Sequence, residues 1–145
     1  MLDIRFSSVL RAMLYLAAAA EGDEPTVSSG RLADALDTNP SLVRKLLVPL
    51  NAGGLVESTR GRSGGARLSR PAAEITLAEI YRCAVGEKPL WACRPESEHV
   101  CPVTTNAAEY FARLTAEVEG AVLQSLGHRT LADALREMRG LDRTP

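Results

Sequence analysis

The hydrophobic positions of the chain fall into six helical stretches, with one interval of strand-like alternation near the middle. Residues 4–20 place Val9, Leu10, Met13, Leu14, Leu16 and Ala17 on one broad apolar face, the period of an amphipathic helix. After a polar turn, Ser28 or Ser29 can cap a short helix with Leu32, Ala33 and Leu36 on one side. Asp37-Thr38 breaks the pattern. Asn39 and Pro40 then fit the N-cap and first position of a further helix, where the missing proline N–H costs nothing. Leu42, Val43, Leu46, Leu47 and Leu50 are expected to form its buried stripe, leaving Ser41, Arg44 and Lys45 outward. Pro49 lies inside this helix, where it is expected to kink the axis or bring on the last turn early. Leu55–Thr59 alternates as a strand, Arg60–Gly65 is a Gly- and Arg-rich turn, and Ala66–Ser69 returns as a second strand.

Ile75-Thr76-Leu77-Ala78-Glu79-Ile80 opens the next helix. Thr76 and Glu79 make a capping box and Ile75 with Ile80 a hydrophobic staple, with the stop at Gly86. Residues 87–103 have no period and carry three prolines and two cysteines, a loop longer than usual connections. From Thr104 to Leu126, Ala107, Phe111, Leu114, Val118, Ala121, Val122 and Leu126 recur at spacings of three and four. A helix of about 33 Å outruns the cover that so small a domain can give it. A second copy of the same helix is therefore expected against Phe111, Leu114, Val118 and Val122, in an isologous homodimer. Thr130 to Asp133 caps a final helix ending near Arg139. The chain thus divides into a winged helix-turn-helix over residues 1–86, a loop over 87–103, and a dimerisation helix with its short C-terminal partner over 104–145. It is mostly α, with one small β-hairpin wing, in a single compact domain.

Charge sharpens the picture. Between Thr38 and Arg70 stand Arg44, Lys45, Arg60, Arg62, Arg67 and Arg70 against Glu57 alone, a local +5 in a chain of net −1. That concentration is what an electrostatic footprint for DNA needs. Asn39, Ser41, Arg44 and Lys45 are the candidates for base edges in a major groove. Arg60 and Arg62 suit a narrow minor groove, and Arg5, Ser7, Thr38 and Arg67 suit phosphates. A wing used only for protein interaction or dimerisation is the alternative, and it has no use for the excess charge.

The 145 residues, 46% hydrophobic and 24% charged, suffice for one domain with a proper core. Ala12–Ala20 is too short to span a bilayer; with Met1 at the start of the chain, it is expected to be a buried helix of a cytoplasmic protein with no membrane partner. No phosphate-binding loop is present, and no nucleophile, base and orienter can be assembled, so the chain is not read as an enzyme.

The run from Asn39 through Gly54-Leu55-Val56, the Arg60-Gly61…Gly64-Gly65 wing and Ile75-Thr76-Leu77…Ile80 resembles the winged helix of the Rrf-two family of bacterial regulators. With the first helix and Cys101-Pro102-Val103, the resemblance covers nearly the whole chain. It implies a homodimeric regulator of transcription, a repressor, on a pseudo-palindromic double-stranded DNA operator. Cluster-bearing members carry three closely spaced cysteines before the long helix; here that loop has Cys93 and Cys101, with His99 between them and Cys83 upstream. The pattern sits closer to members without an iron–sulfur cluster, and the expected cofactor is none. Three roles stay open for these cysteines: inert thiols, a Cys93–Cys101 redox pair with Arg94 lowering the pKa of Cys93, or a metal or cluster held by Cys93, Cys101 and His99 or Cys83.

Overall fold

The computed structural model describes residues 3–91 and 101–142. Six α-helices enclose one antiparallel hairpin in the order α1 (Arg5–Ala20), α2 (Ser29–Ala35), α3 (Pro40–Ala52), β1 (Val56–Thr59), β2 (Gly65–Leu68), α4 (Leu77–Val85), α5 (Pro102–Gly127) and α6 (Leu131–Leu141), with a 3-10 turn at Ala72–Glu74. The core forms where α1 lays Val9, Met13, Leu16 and Ala17 against Leu32 of α2, Val43 and Leu50 of α3, Leu55, Ile75, Ile80 and Leu131, all nearly free of solvent.

The turn between α2 and α3 is built by backbone chemistry. Ser28 caps α2, its Oγ accepting the Arg31 amide at 3.2 Å. At the other end Asp37 takes φ +53, so that the Thr38 N–H reaches the Ala33 carbonyl at 2.9 Å and the Asp37 N–H reaches Asp34 at 3.3 Å. This is a Schellman closure with Asp in the left-handed position usually given to Gly. Asn39 then caps α3, its Oδ1 accepting the Leu42 amide at 3.0 Å, with Pro40 at N1. The helix continues past Pro49 to Ala52, with Pro49 at the start of its last turn. Pro49 brings no N–H to the Lys45 carbonyl, but that position is exposed and water can satisfy it.

The hairpin pairs Val56 with Leu68, Glu57 with Arg67, Ser58 with Ala66 and Thr59 with Gly65, one residue out from the strand limits that alternation predicts. Val27 adds a bridge on its other side: its N–H donates to Ala66 at 2.9 Å and its carbonyl accepts from Ala66 at 2.8 Å. This joins the wing to the cap of α2. A Cβ at Gly65 would overlap the Val27 carbonyl, so glycine is required by close backbone approach. Gly65→Ala is therefore expected to cost about 1–3 kcal/mol, measured as a lower denaturant midpoint with unchanged slope.

Capping boxes at α4 and α6 help to fasten the other half. Thr76 and Glu79 close one at α4, with amide contacts of 2.8 and 3.1 Å, and Thr130 and Asp133 close one at α6, both at 3.0 Å. The two cap residues pair as an antiparallel bridge, Leu77 N–H to Arg129 and Leu131 N–H to Ile75. α5 then runs 26 residues, about 39 Å, without one buried side chain. The turn that ends it, with α4, keeps Leu126 against the core, while Phe111 and Tyr110 face outward, 41% and 61% exposed.

Candidate nucleic-acid interface

α3 and the wing converge because Asn51, in the last turn of α3, donates its Nδ2 to Ser58 Oγ of β1 at 3.0 Å and to the Leu47 carbonyl at 3.0 Å. The result is an open cleft between helix and hairpin, lined by Ser28, Gly30, Arg44, Val48, Asn51, Ser58, Arg60 and Arg62 among others. Arg44, Arg60 and Arg62, up to eighteen positions apart in sequence, thus share one concavity. Lys45 is exposed one residue round the helix from Arg44. None of these four cations forms an ion pair among the described residues.

The other basic residues of the interval are engaged. Arg67 donates to Glu57 across the hairpin at 3.0 and 3.2 Å, and Arg70 joins Glu79 at 2.6 Å and the Glu74 carbonyl at 2.6 Å. Burial pushes the Glu79 carboxyl up, but Arg70 and the hydrogen bonds from Thr76 outweigh it and leave it below its ordinary value. Of the six cations counted from the sequence, the available charge is therefore concentrated on Arg44, Lys45, Arg60 and Arg62. Arg5 is folded onto Asp3, whose carboxyl its hydrogen bonds lower to about 2. Ser7 donates to the Ile4 carbonyl at 3.1 Å. Arg5 and Ser7 lie outside the lining of the cleft. Thr38 is half-buried at the turn, and Asn39 spends its side-chain oxygen on the cap.

Leu42 departs from its expected place in the buried stripe: it is 47% exposed. The residues that pack are Val43, Leu47 and Leu50, with Leu46 at the margin, and Leu42 lies about a quarter turn from their centre at 100° per residue. Sequence reasoning also missed Ser28, Gly30, Asn51 and Ser58 as cleft residues. Only the outward phase of Ser58 in the alternating strand hinted at one of them.

The thiols are placed as follows. A Cβ at Gly53 would overlap the Cys83 sulfur, so this thiol lies against the end of α3; burial and Glu79 push its pKa up. Cys101 is the N-cap of α5, its Sγ accepting from the Thr104 amide at 3.5 Å and hydroxyl at 3.4 Å, and these bonds lower its pKa. Cys93, Arg94 and His99 lie outside the described residues. Among the described residues no three His, Cys, Asp or Glu side chains gather around a point that could hold a metal ion. Cys83, packed against the end of α3, and Cys101, a helix cap, do not by themselves fit an iron site.

A sequence profile of the Rrf2 family, described as an iron-dependent transcriptional regulator, matches residues 2–137. The chain belongs to this family. Protein aau3 of Rhizobium meliloti is 35% identical over 94 residues, 65% of this chain and 59% of that protein. Rv1287 of Mycobacterium tuberculosis is 42% identical over 77 residues, 53% of this chain and 47% of that one. The matched segments thus span about half the length of these relatives. The fold is similar to that of IscR from T. potens, with a TM-score of 0.66 at 23% identity over 100% of this chain and 93% of that one. The family matched over residues 2–137 is one of transcriptional regulators. Among the described residues no helix is long and apolar enough to cross a membrane.

Proposed function

We propose that this Rrf2 protein is a homodimeric, sequence-specific DNA-binding repressor that places one α3 in a major groove at each half of a pseudo-palindromic operator. The gathering of Arg44, Arg60 and Arg62 around one cleft, with Lys45 beside them, carries the reading. In it α3 presents Ser41, Arg44 and Lys45 to base edges, since Arg or Lys to guanine O6/N7 is the commonest specific pairing. The wing tip brings Arg60 and Arg62 to the adjacent backbone or minor groove. The uncovered length of α5 supports a second copy as its partner, through Phe111, Leu114, Val118 and Val122. A thiol-based signal extends the same reading: peroxide oxidising Cys93 and Cys101 to a disulfide, with two waters released, would take the Cys101 sulfur out of its role as the cap of α5. A wing used only for protein contacts is disfavoured by Arg60 and Arg62, which form no ion pair among the described residues, and by Arg44 and Lys45 beside them on α3.

Titration of duplex DNA against salt tests the proposal. The slope of log K against log salt is about −0.9 for each phosphate neutralised. A dimer using half of its eight candidate cations therefore gives a slope near −4, and a slope near zero overturns DNA binding.

A further inference from the structure

We infer that Val48 is a specificity-determining residue, an apolar contact through which α3 meets the 5-methyl group of a thymine. The inference rests on the DNA-binding reading above and extends it to the kind of base that is read.

Val48 is 64% exposed, more than Leu42, the other large apolar residue that α3 leaves open. At about 100° per residue it points away from Leu50 and Val43, which are buried, and so sits near the middle of the outward face. It follows Arg44 by four positions and Lys45 by three, one turn further along the same face. It also lines the cleft with Arg44, Asn51, Arg60 and Arg62, so a duplex that fills the cleft covers it.

Valine has no donor or acceptor. Among base edges in a major groove, the thymine methyl is the one feature that an apolar side chain recognises. A β-branched residue held largely in one rotamer in a helix presents its two methyl groups at little entropic cost. The helix itself gains nothing from valine there, since alanine has the better propensity. Rising about 1.5 Å per residue, Val48 stands roughly 4.5 Å beyond Lys45, so it addresses a base pair next to the one that Lys45 reaches.

The experiment begins by selecting a binding sequence from a random duplex library with the full-length protein. Each thymine of that sequence is then replaced by deoxyuridine, which removes the methyl group and keeps the pairing edge. With the parent protein, one thymine per half-site is expected to lose about threefold to fourfold in affinity, the effect of uncovering one methyl-sized group. With Val48→Ala the same replacement should cost less than 1.5-fold, and the slope of log K against log salt should equal that of the parent. Equal losses in both proteins at every thymine overturn the role of Val48 while leaving DNA binding intact. A reduced salt slope in Val48→Ala overturns it too, since the residue would then act through phosphate contacts. A library that yields no enriched sequence overturns the DNA-binding reading, and this inference with it.

Discussion

Phe111→Asp and Val118→Asp are each expected to give monomers and to lower operator affinity by more than about 100-fold. α5 runs its whole length without a buried residue, and Phe111 with its outward neighbours offers an apolar strip to a partner. A carboxylate set into that strip would be buried without a partner charge, at a cost that no isologous helix pair can absorb twice over. The loss in affinity follows from linkage: one subunit no longer holds the other at its half-site, and avidity of about 10²–10⁴ is forfeited. Phe111 is exposed and Val118 half-buried in the protomer, neither of them in its core, so its fold and its circular dichroism should be unchanged. Sedimentation velocity decides the first point and DNA titration the second. A variant that still sediments as a dimer places the interface elsewhere.

Arg44→Ala combined with Arg60→Ala is expected to weaken specific binding by about 100-fold or more at moderate salt, leaving stability unaltered. Each of these guanidinium groups lines the cleft and lacks an acidic partner among the described residues. Loss of one bidentate base contact costs about 1–3 kcal/mol. The two single variants should differ in kind. Arg44→Ala should relax preference at one base pair per half-site, whereas Arg60→Ala should weaken binding across sequences and flatten the salt slope. Arg67→Ala is the natural control, since Glu57 already holds that side chain. If Arg67→Ala proves as damaging as the double variant, the division of the cations into free and paired ones is wrong.

Local chemistry was the legible part of this fold. Asn39-Pro40, Thr76 with Glu79, and Thr130 with Asp133 are signals in which a side chain reaches only three residues, and the structure forms all three caps. What sequence could not supply needed distance. Whether Arg67 faces DNA or Glu57 depends on the register of the hairpin, which composition alone does not set. The bridge from Val27 to Ala66 spans thirty-nine positions, and it is what brings Ser28 and Gly30 to the cleft. Leu42 falls outside the core because four leucines and two valines in nine residues mark too wide an arc, and only packing shows which edge stays open.

The bridge between Thr76 and Thr130 turns the winged helix and the end of α5 into one lever. The backbone hydrogen bonds of that bridge tie the residues just after α5 to the start of α4, so a tilt of α5 has a direct path to the winged helix. Over the roughly 39 Å of that helix, a tilt of about 5° displaces the far end by about 3 Å, close to the ~3.4 Å axial rise between successive phosphates of a strand. For the proposed dimer, a few degrees of tilt about the Thr76–Thr130 bridge therefore carries the Cys101 end of α5 through about one axial base-pair step.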